Sequence, residues 1–292
     1  MISNIIKTNN ELTKNVICLF KENSMPINEL VLQKVIYKVK MDLGEDHPLY
    51  DDLPYYWYCY GPFSETLRFS FNESKKYLTA VGENYSLNDK YLDRFNGNDI
   101  NDFPEITESI LNLISKGNYV YSALAEDIYK DFAPLDMLHE FKYGIFNPTG
   151  NDKFIGDGDE YVMSFRNCQC KLIPIIYMQD FSLIFTKFTR QIDFLNDENL
   201  ISEKWNILKK PIKNLWFSFA QGLRCLEHDS FYDENYTQWN QKFQTSIYNL
   251  DHIVDDFINK SDEWIDFTKY ADCSHEDRGF LGPLIDIYFE ED

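Results

Sequence analysis

Three runs in the second half of the chain constrain the fold most. Phe181, Ile184, Phe188, Ile192 and Leu195 follow one another at steps of three or four residues. Trp205, Leu208, Ile212, Leu215 and Phe219 repeat the spacing and carry it on to Leu223 and Leu226. Trp239, Phe243, Ile247, Leu250, Val254 and Phe257 form the third run. A helix turns once in about 3.6 residues, so each set falls on one stripe of its helix. Three such stripes need cover, and burying them against one another gives a long-helix bundle. Pro211 lies inside the second run and lacks the N–H that a helix ladder requires, which predicts a kink or a break there. "LEHDSFYDEN" (226–235) reads as the link between the second and third helices.

The first half is less regular. "NNELTKNVICLFKEN" (9–23) reads as a helix with Asn10 as its cap, and "INELVLQKVIYKVKMDLG" (27–44) as a second one stopped by Gly44. "YYWYCY" (55–60) favours a strand, and Gly61-Pro62 makes the corner after it. Ser64 with Glu65 caps a third helix drawn over 65–81, and the polar stretch 84–104 reads as loop. "PEITESILNLISKGNYVYSALAEDIYKDF" (104–132) returns to helix, "LDMLHEFKYGIF" (135–146) adds a short one, and "NPTGNDKFIGDGDEY" (147–161) is a loop. That loop places a soft boundary near 147–165. Only 12 Gly and 10 Pro in 292 residues argue against a many-turned β fold, while 23 Phe and 20 Tyr predict a core built on rings. The expected fold is mainly α. An N-terminal α-rich, winged-helix-like unit with a short aromatic strand spans residues 1–160, and a helical bundle spans 161–292.

A formal net charge of −20 repels a phosphate backbone and attracts a basic protein. No run reaches the ~18 apolar residues of a membrane span, and "MISNIIKTNNELTKN" lacks the features of a signal peptide. The expected location is the cytoplasm, with the six cysteines reduced.

Motifs that carry chemistry are scarce. Cys168 and Cys170 form a lone C-x-C pair, and the histidines at 47, 139, 228, 252 and 275 stand apart, so no zinc set assembles in sequence. "NDKFIGDGDE" (151–160) lacks the residue order of a calcium loop and its closing Glu. There is neither a G-x-S-x-G elbow nor a glycine-rich phosphate loop. The chain therefore reads as a non-enzyme with no catalytic residue, metal or cofactor. Lys34 and Lys38 share a helix face, and with Arg68, Lys75 and Lys76 they would form a basic face for DNA if the two helices dock side by side.

"LQKVIYKVK" (32–40) followed by "YYWYCYGPFSETL" (55–67) resembles the N-terminal signature of the Panacea (SocA-like) antitoxin domain and of related archaeal winged-helix-like proteins. The resemblance covers about residues 25–70. It rests on Leu32, Gln33, Lys34 and Tyr37 in the helix and on Trp57, Gly61, Pro62 and Ser64 in the strand and turn. It implies a predominantly helical protein that neutralises or regulates by binding a partner protein, with no catalytic residue in the signature. The partner-binding set is then Gln33, Lys34, Tyr37, Trp57, Tyr60, Gly61, Pro62 and Ser64. Two roles stay open for these residues: a fastening inside the fold, or a groove beside Tyr60 into which Lys34 or Gln33 faces. The leading function is an antitoxin-like or regulatory binder of a basic protein, acting by surface occlusion. Homodimerisation through the C-terminal helices is a further option, and the alternative function is a DNA-binding transcriptional regulator using the N-terminal unit.

Overall fold

A computed structural model of the chain describes residues 2–95, 104–116 and 121–265. The fold is mainly α, with nine α-helices and two small antiparallel hairpins among the described residues. In chain order these are α1 (Ile2–Glu22), α2 (Glu29–Leu43), β1 (Tyr56–Tyr58), β2 (Gly61–Phe63), α3 (Glu65–Ser74), β3 (Leu78–Val81), β4 (Asn84–Leu87), α4 (Pro104–Ser115), α5 (Tyr121–Phe132), α6 (Gly158–Leu172), α7 (Gln179–Asp197), α8 (Ile201–Leu226) and α9 (Tyr236–Ser261). A π-helix covers Glu140–Phe146.

The three stripes form the bundle. Every residue of the three runs except Leu226 is buried, and Leu226 is partly so. α7 and α9 run side by side in the same direction: Tyr177 stacks on Phe243, Phe188 packs on Phe257, and Gln191 donates to Ser261 at 2.7 Å. Pro211 is buried in α8, which continues through it as one helix of 26 residues. One contiguous apolar cluster runs from Leu12 on α1 to Ile265 after α9, so the core passes straight across the 147–165 region.

Several local expectations shift. α1 begins at Ile2, which puts Asn10 mid-helix. Its neighbour Asn9 is buried and donates to the carbonyls of Ile5 and Asp52 at 2.7 and 2.8 Å. The third helix stops at Ser74 because Leu78–Val81 pairs with Asn84–Leu87 as a hairpin, where the sequence read helix and then loop. A 3-10 turn covers Asp89–Arg94, and positions 96–103 lie outside the described residues. The 147–161 loop ends early, because the Asp157 side chain accepts from the N–H groups of Asp159 and Glu160 and so caps α6.

The two halves are stitched together by backbone. Tyr56 and Trp57 pair across a tight turn with Phe63 and Pro62. On the other edge of β1 lies the segment that leaves α8: Trp57 N–H donates to Glu227 O at 3.1 Å and Asp229 N–H donates to Tyr55 O at 2.9 Å. The link expected between two bundle helices thus also forms an isolated antiparallel bridge, His228 opposite Tyr56, beside the aromatic run.

Candidate functional site

The signature residues converge on one corner. α2 presents Gln33 and Lys34 towards the β1–β2 turn because both fall on its inner face with Leu32 and Ile36. The Gln33 side-chain amide donates to Ser64 O and accepts from Ser64 N–H, each at 2.9 Å, which mimics one rung of a sheet. Lys34 Nζ donates to Pro62 O at 2.7 Å. Gly61 has φ +83, and a Cβ there would sit 3.0 Å from Tyr129 Cε2, so the corner demands glycine twice over. Tyr37 meets Tyr55 and Trp57 edge-on at centroid distances of 5.0 and 6.0 Å. Ser64 occupies the cap position of α3, yet its hydroxyl pairs with Thr66 Oγ1, and it is the Tyr232 hydroxyl that accepts from Glu65 N–H at 3.0 Å.

Of the eight residues expected to meet a partner, Tyr60 alone is exposed, at 52%. Gln33 and Lys34 are buried with their polar atoms held by backbone, and they face the turn rather than an open groove. Burial and the nearby Lys142 charge bring the Lys34 ammonium down to about 7. Lys142, on the π-helix, is brought down to about 8 by burial; it lies 4.3 Å from the Phe146 ring centre and 4.7 Å from that of Trp216.

The basic set is not assembled into a free face. Lys34 is buried, Lys38 pairs with Asp42 at 2.5 Å and Lys76 with Glu73 at 3.1 Å. Arg68 lies 3.4 Å from Glu29 and over the Phe63 ring, while Lys75 donates to Asn72. The C-x-C pair diverges along α6: Cys168 is fully buried, its thiol pushed up by desolvation, and Cys170 points outward. Among the described residues no cluster of His, Cys, Asp and Glu has the arrangement to hold a metal ion; Cys273 and His275 lie outside them.

Two concavities flank α2. The first is a cleft of about 230 Å³ whose walls include Tyr37, Tyr50, Tyr55, Trp57 and Phe132, with Lys40, Glu227, His228 and Asp229 at its polar side. Here the aromatic run is scaffold and wall together, since Tyr55 and Trp57 reach the cleft while being buried. Lys40 is held by Leu53 O at 2.7 Å, by Asp229 Oδ2 at 3.3 Å and by the face of Tyr50 at 4.3 Å. Asp229 Oδ2 also accepts from Tyr55 N–H. The Glu227 carboxylate makes no hydrogen bond or ion pair among the described residues, and half-burial raises its pKa against the opposing influence of His228. His228 Nε2 sits 3.0 Å from Asp233, and its buried Nδ1 has no hydrogen-bond partner among the described residues.

The second concavity is a groove of about 430 Å³ between α2, α4 and α5, lined by Asp42, Glu105, Glu108, Asp127 and Asp131 against Lys38 and Lys116. No local motif announces either feature. Asp229 reaches Tyr55 from 174 positions away, and the groove's acids come from three separate helices. Matched against family models, curated proteins and solved structures, the chain finds no counterpart.

Proposed function

We propose that the protein is a non-enzymatic binder of a basic protein partner, antitoxin-like or regulatory, acting by covering the partner's surface. The observation that carries this reading is the groove between α2, α4 and α5, where five carboxylates face two amines in a chain of net charge −20. Such a field speeds the approach of a cationic surface and favours it over an acidic one. The resemblance of residues 25–70 to the Panacea signature points the same way. The DNA-binding alternative is weakened by the pairing of Lys38, Arg68 and Lys76 with carboxylates and by the burial of Lys34.

The test is affinity purification of the protein from its native host at low, physiological and high salt, beside an Asp127→Lys/Asp131→Lys variant. A protein that copurifies at physiological salt, leaves at high salt and is lost with the variant supports the reading. Copurification of nothing, together with a gel shift of duplex DNA at physiological salt, overturns it in favour of the regulator.

A further inference from the structure

The cleft beside β1 carries more than its acidity. Its volume of about 230 Å³ falls below the ~300–1,000 Å³ of sites that enclose a cofactor or a drug-sized ligand, and suits one side chain. Lys40 and Asp229 offset each other, and the Lys40 ammonium is further held by a carbonyl and a ring. That leaves Glu227 as the cleft's charge with no direct partner, half-buried, offset only by the nearby His228 and without a hydrogen bond or ion pair among the described residues. A half-buried carboxylate in this state is stabilised by a cation that brings its own donors. Beside it, the buried Nδ1 of His228 is a second polar atom without a hydrogen bond. The flanking walls are ring surface, and a flat cation stacks on such surface while remaining able to donate sideways.

We infer that this cleft is a receptor for a single guanidinium: an arginine side chain of the partner lies against the wall that Tyr37, Trp57 and Phe132 form by packing edge-on, and donates in a forked pair to Glu227. The inference rests on the proposed basic partner and names the residue type that anchors it. A guanidinium fits better than an ammonium because it is planar, presents two parallel donors and sheds water more readily. Lys40 is too well held to swing across and pair with Glu227 itself, since that would strip the Leu53 carbonyl of its donor and leave Asp229 with the Tyr55 N–H but no cation.

The experiment uses the full chain and three probes of matched length: N-butylguanidinium, butylammonium and the neutral N-butylurea. Binding is followed by the Trp57 indole N–H signal in a proton–nitrogen NMR spectrum, assigned by a Trp57→Phe variant. The expected result is a saturable shift with the guanidinium at millimolar concentration, at least ~5-fold weaker binding of the ammonium and none of the urea. Glu227→Gln should weaken guanidinium binding by ~10-fold or more while the other indole signals stay in place. The probe series on wild-type protein remains decisive even if that variant fails to fold. Equal shifts with all three probes, or no shift with any, overturn the inference. If Glu227→Gln loses the probe yet retains the copurifying partner unchanged, the partner's arginine is not the occupant and the assignment also falls. Failure of the groove reading looks different: Asp127→Lys/Asp131→Lys would leave partner capture intact, whereas the probe series does not involve the groove at all.

Discussion

The corner around Gly61 and the bundle of α7, α8 and α9 are held by opposite means. In the bundle, rings and aliphatic chains interlock, and few of the buried contacts have a direction. At the corner the strongest fastenings are polar and buried: Gln33 on both backbone atoms of Ser64, Lys34 on Pro62 O, Tyr55 Oη on Gln33 O at 3.1 Å. Apolar packing tolerates exchange of one hydrophobe for another of similar volume, because the driving force is area removed from water. A buried hydrogen bond does not tolerate loss of one partner, because the other keeps its desolvation cost. The bundle supplies stability in bulk, and the corner fixes the angle at which α2, β1 and α3 meet.

The most severe way to break this contrast is Gln33→Leu. The change nearly conserves volume, yet it strands the N–H of Ser64 in the interior, while the Ser64 carbonyl keeps only the helical bond from Arg68 N–H at 3.1 Å. The expected loss is about 2–3 kcal/mol in urea unfolding, with unaltered slope if the transition remains two-state. A control in the bundle, Leu215→Met, replaces a fully buried side chain by another hydrophobe and should cost less than about 1.5 kcal/mol. Equal losses in the two variants would erase the distinction between the regions.

Next in size is Gly61→Ala. The left-handed backbone at φ +83 costs a residue with a Cβ about 1–2 kcal/mol, and the 3.0 Å approach to Tyr129 adds to it. Gly82 also has positive φ, at +61, but nothing lies within 4 Å of the position its Cβ would take. Gly82→Ala should therefore show the backbone cost alone, and the difference between the two variants measures the crowding at the corner.

These two regions also explain what could be read in advance. The bundle was visible because helical periodicity is a local signal, repeated in each of its three runs, and burial follows the stripe directly. The residues of the corner stood out as a motif, but their job did not, because a Lys or Gln on a helix ordinarily points to water. Burial of Lys34 becomes intelligible only once Pro62 O is known to sit 2.7 Å away. The β3–β4 hairpin was missed for a related reason: "YLTAV" continues the run of a helix in sequence, and only pairing with Asn84–Leu87 makes it a strand. The cleft was hidden entirely, since Glu227, His228 and Asp229 join Tyr37 and Trp57 across more than 150 positions.

A smaller effect, in pH, separates the regions without touching packing. Lys34 has an ordinary pKa of 10.5 and is held near 7 in the folded protein by burial. Between those values the unfolded chain binds a proton that the folded one releases, so stability rises as pH increases from about 7 towards 10.5. Below about 7 both states are protonated and the cost of the buried charge is present in full. Lys142, held near 8, acts in the same direction over the upper part of the window. The buried thiols of Cys18, Cys59 and Cys168, raised by desolvation, oppose the trend from about 8.5, where the unfolded chain begins to lose thiol protons, and the buried tyrosines do so above about 10. The melting temperature should climb between pH 7 and pH 8.5 by on the order of 3 °C. In Lys34→Met that climb should shrink to what Lys142 and Lys40, also lowered by burial, supply. A full climb in the variant would mean that the sensitivity arises elsewhere than the corner.

The smallest expected change tests the bundle's polar side. Lys187 on α7 bridges Asp251 and Asp255 of α9 at 2.9 and 3.2 Å, which looks like a clamp between the two helices. All three side chains are 44–49% exposed, so water competes for each charge and salt screens what is left. The seam beneath them is already closed by Phe188 against Phe257. Lys187→Ala should therefore cost no more than about 0.5 kcal/mol at physiological salt and less at high salt. Should the measured loss instead approach that of Gln33→Leu, polar fastening would be as decisive between α7 and α9 as it is around Gly61, and the bundle could no longer be described as held by packing.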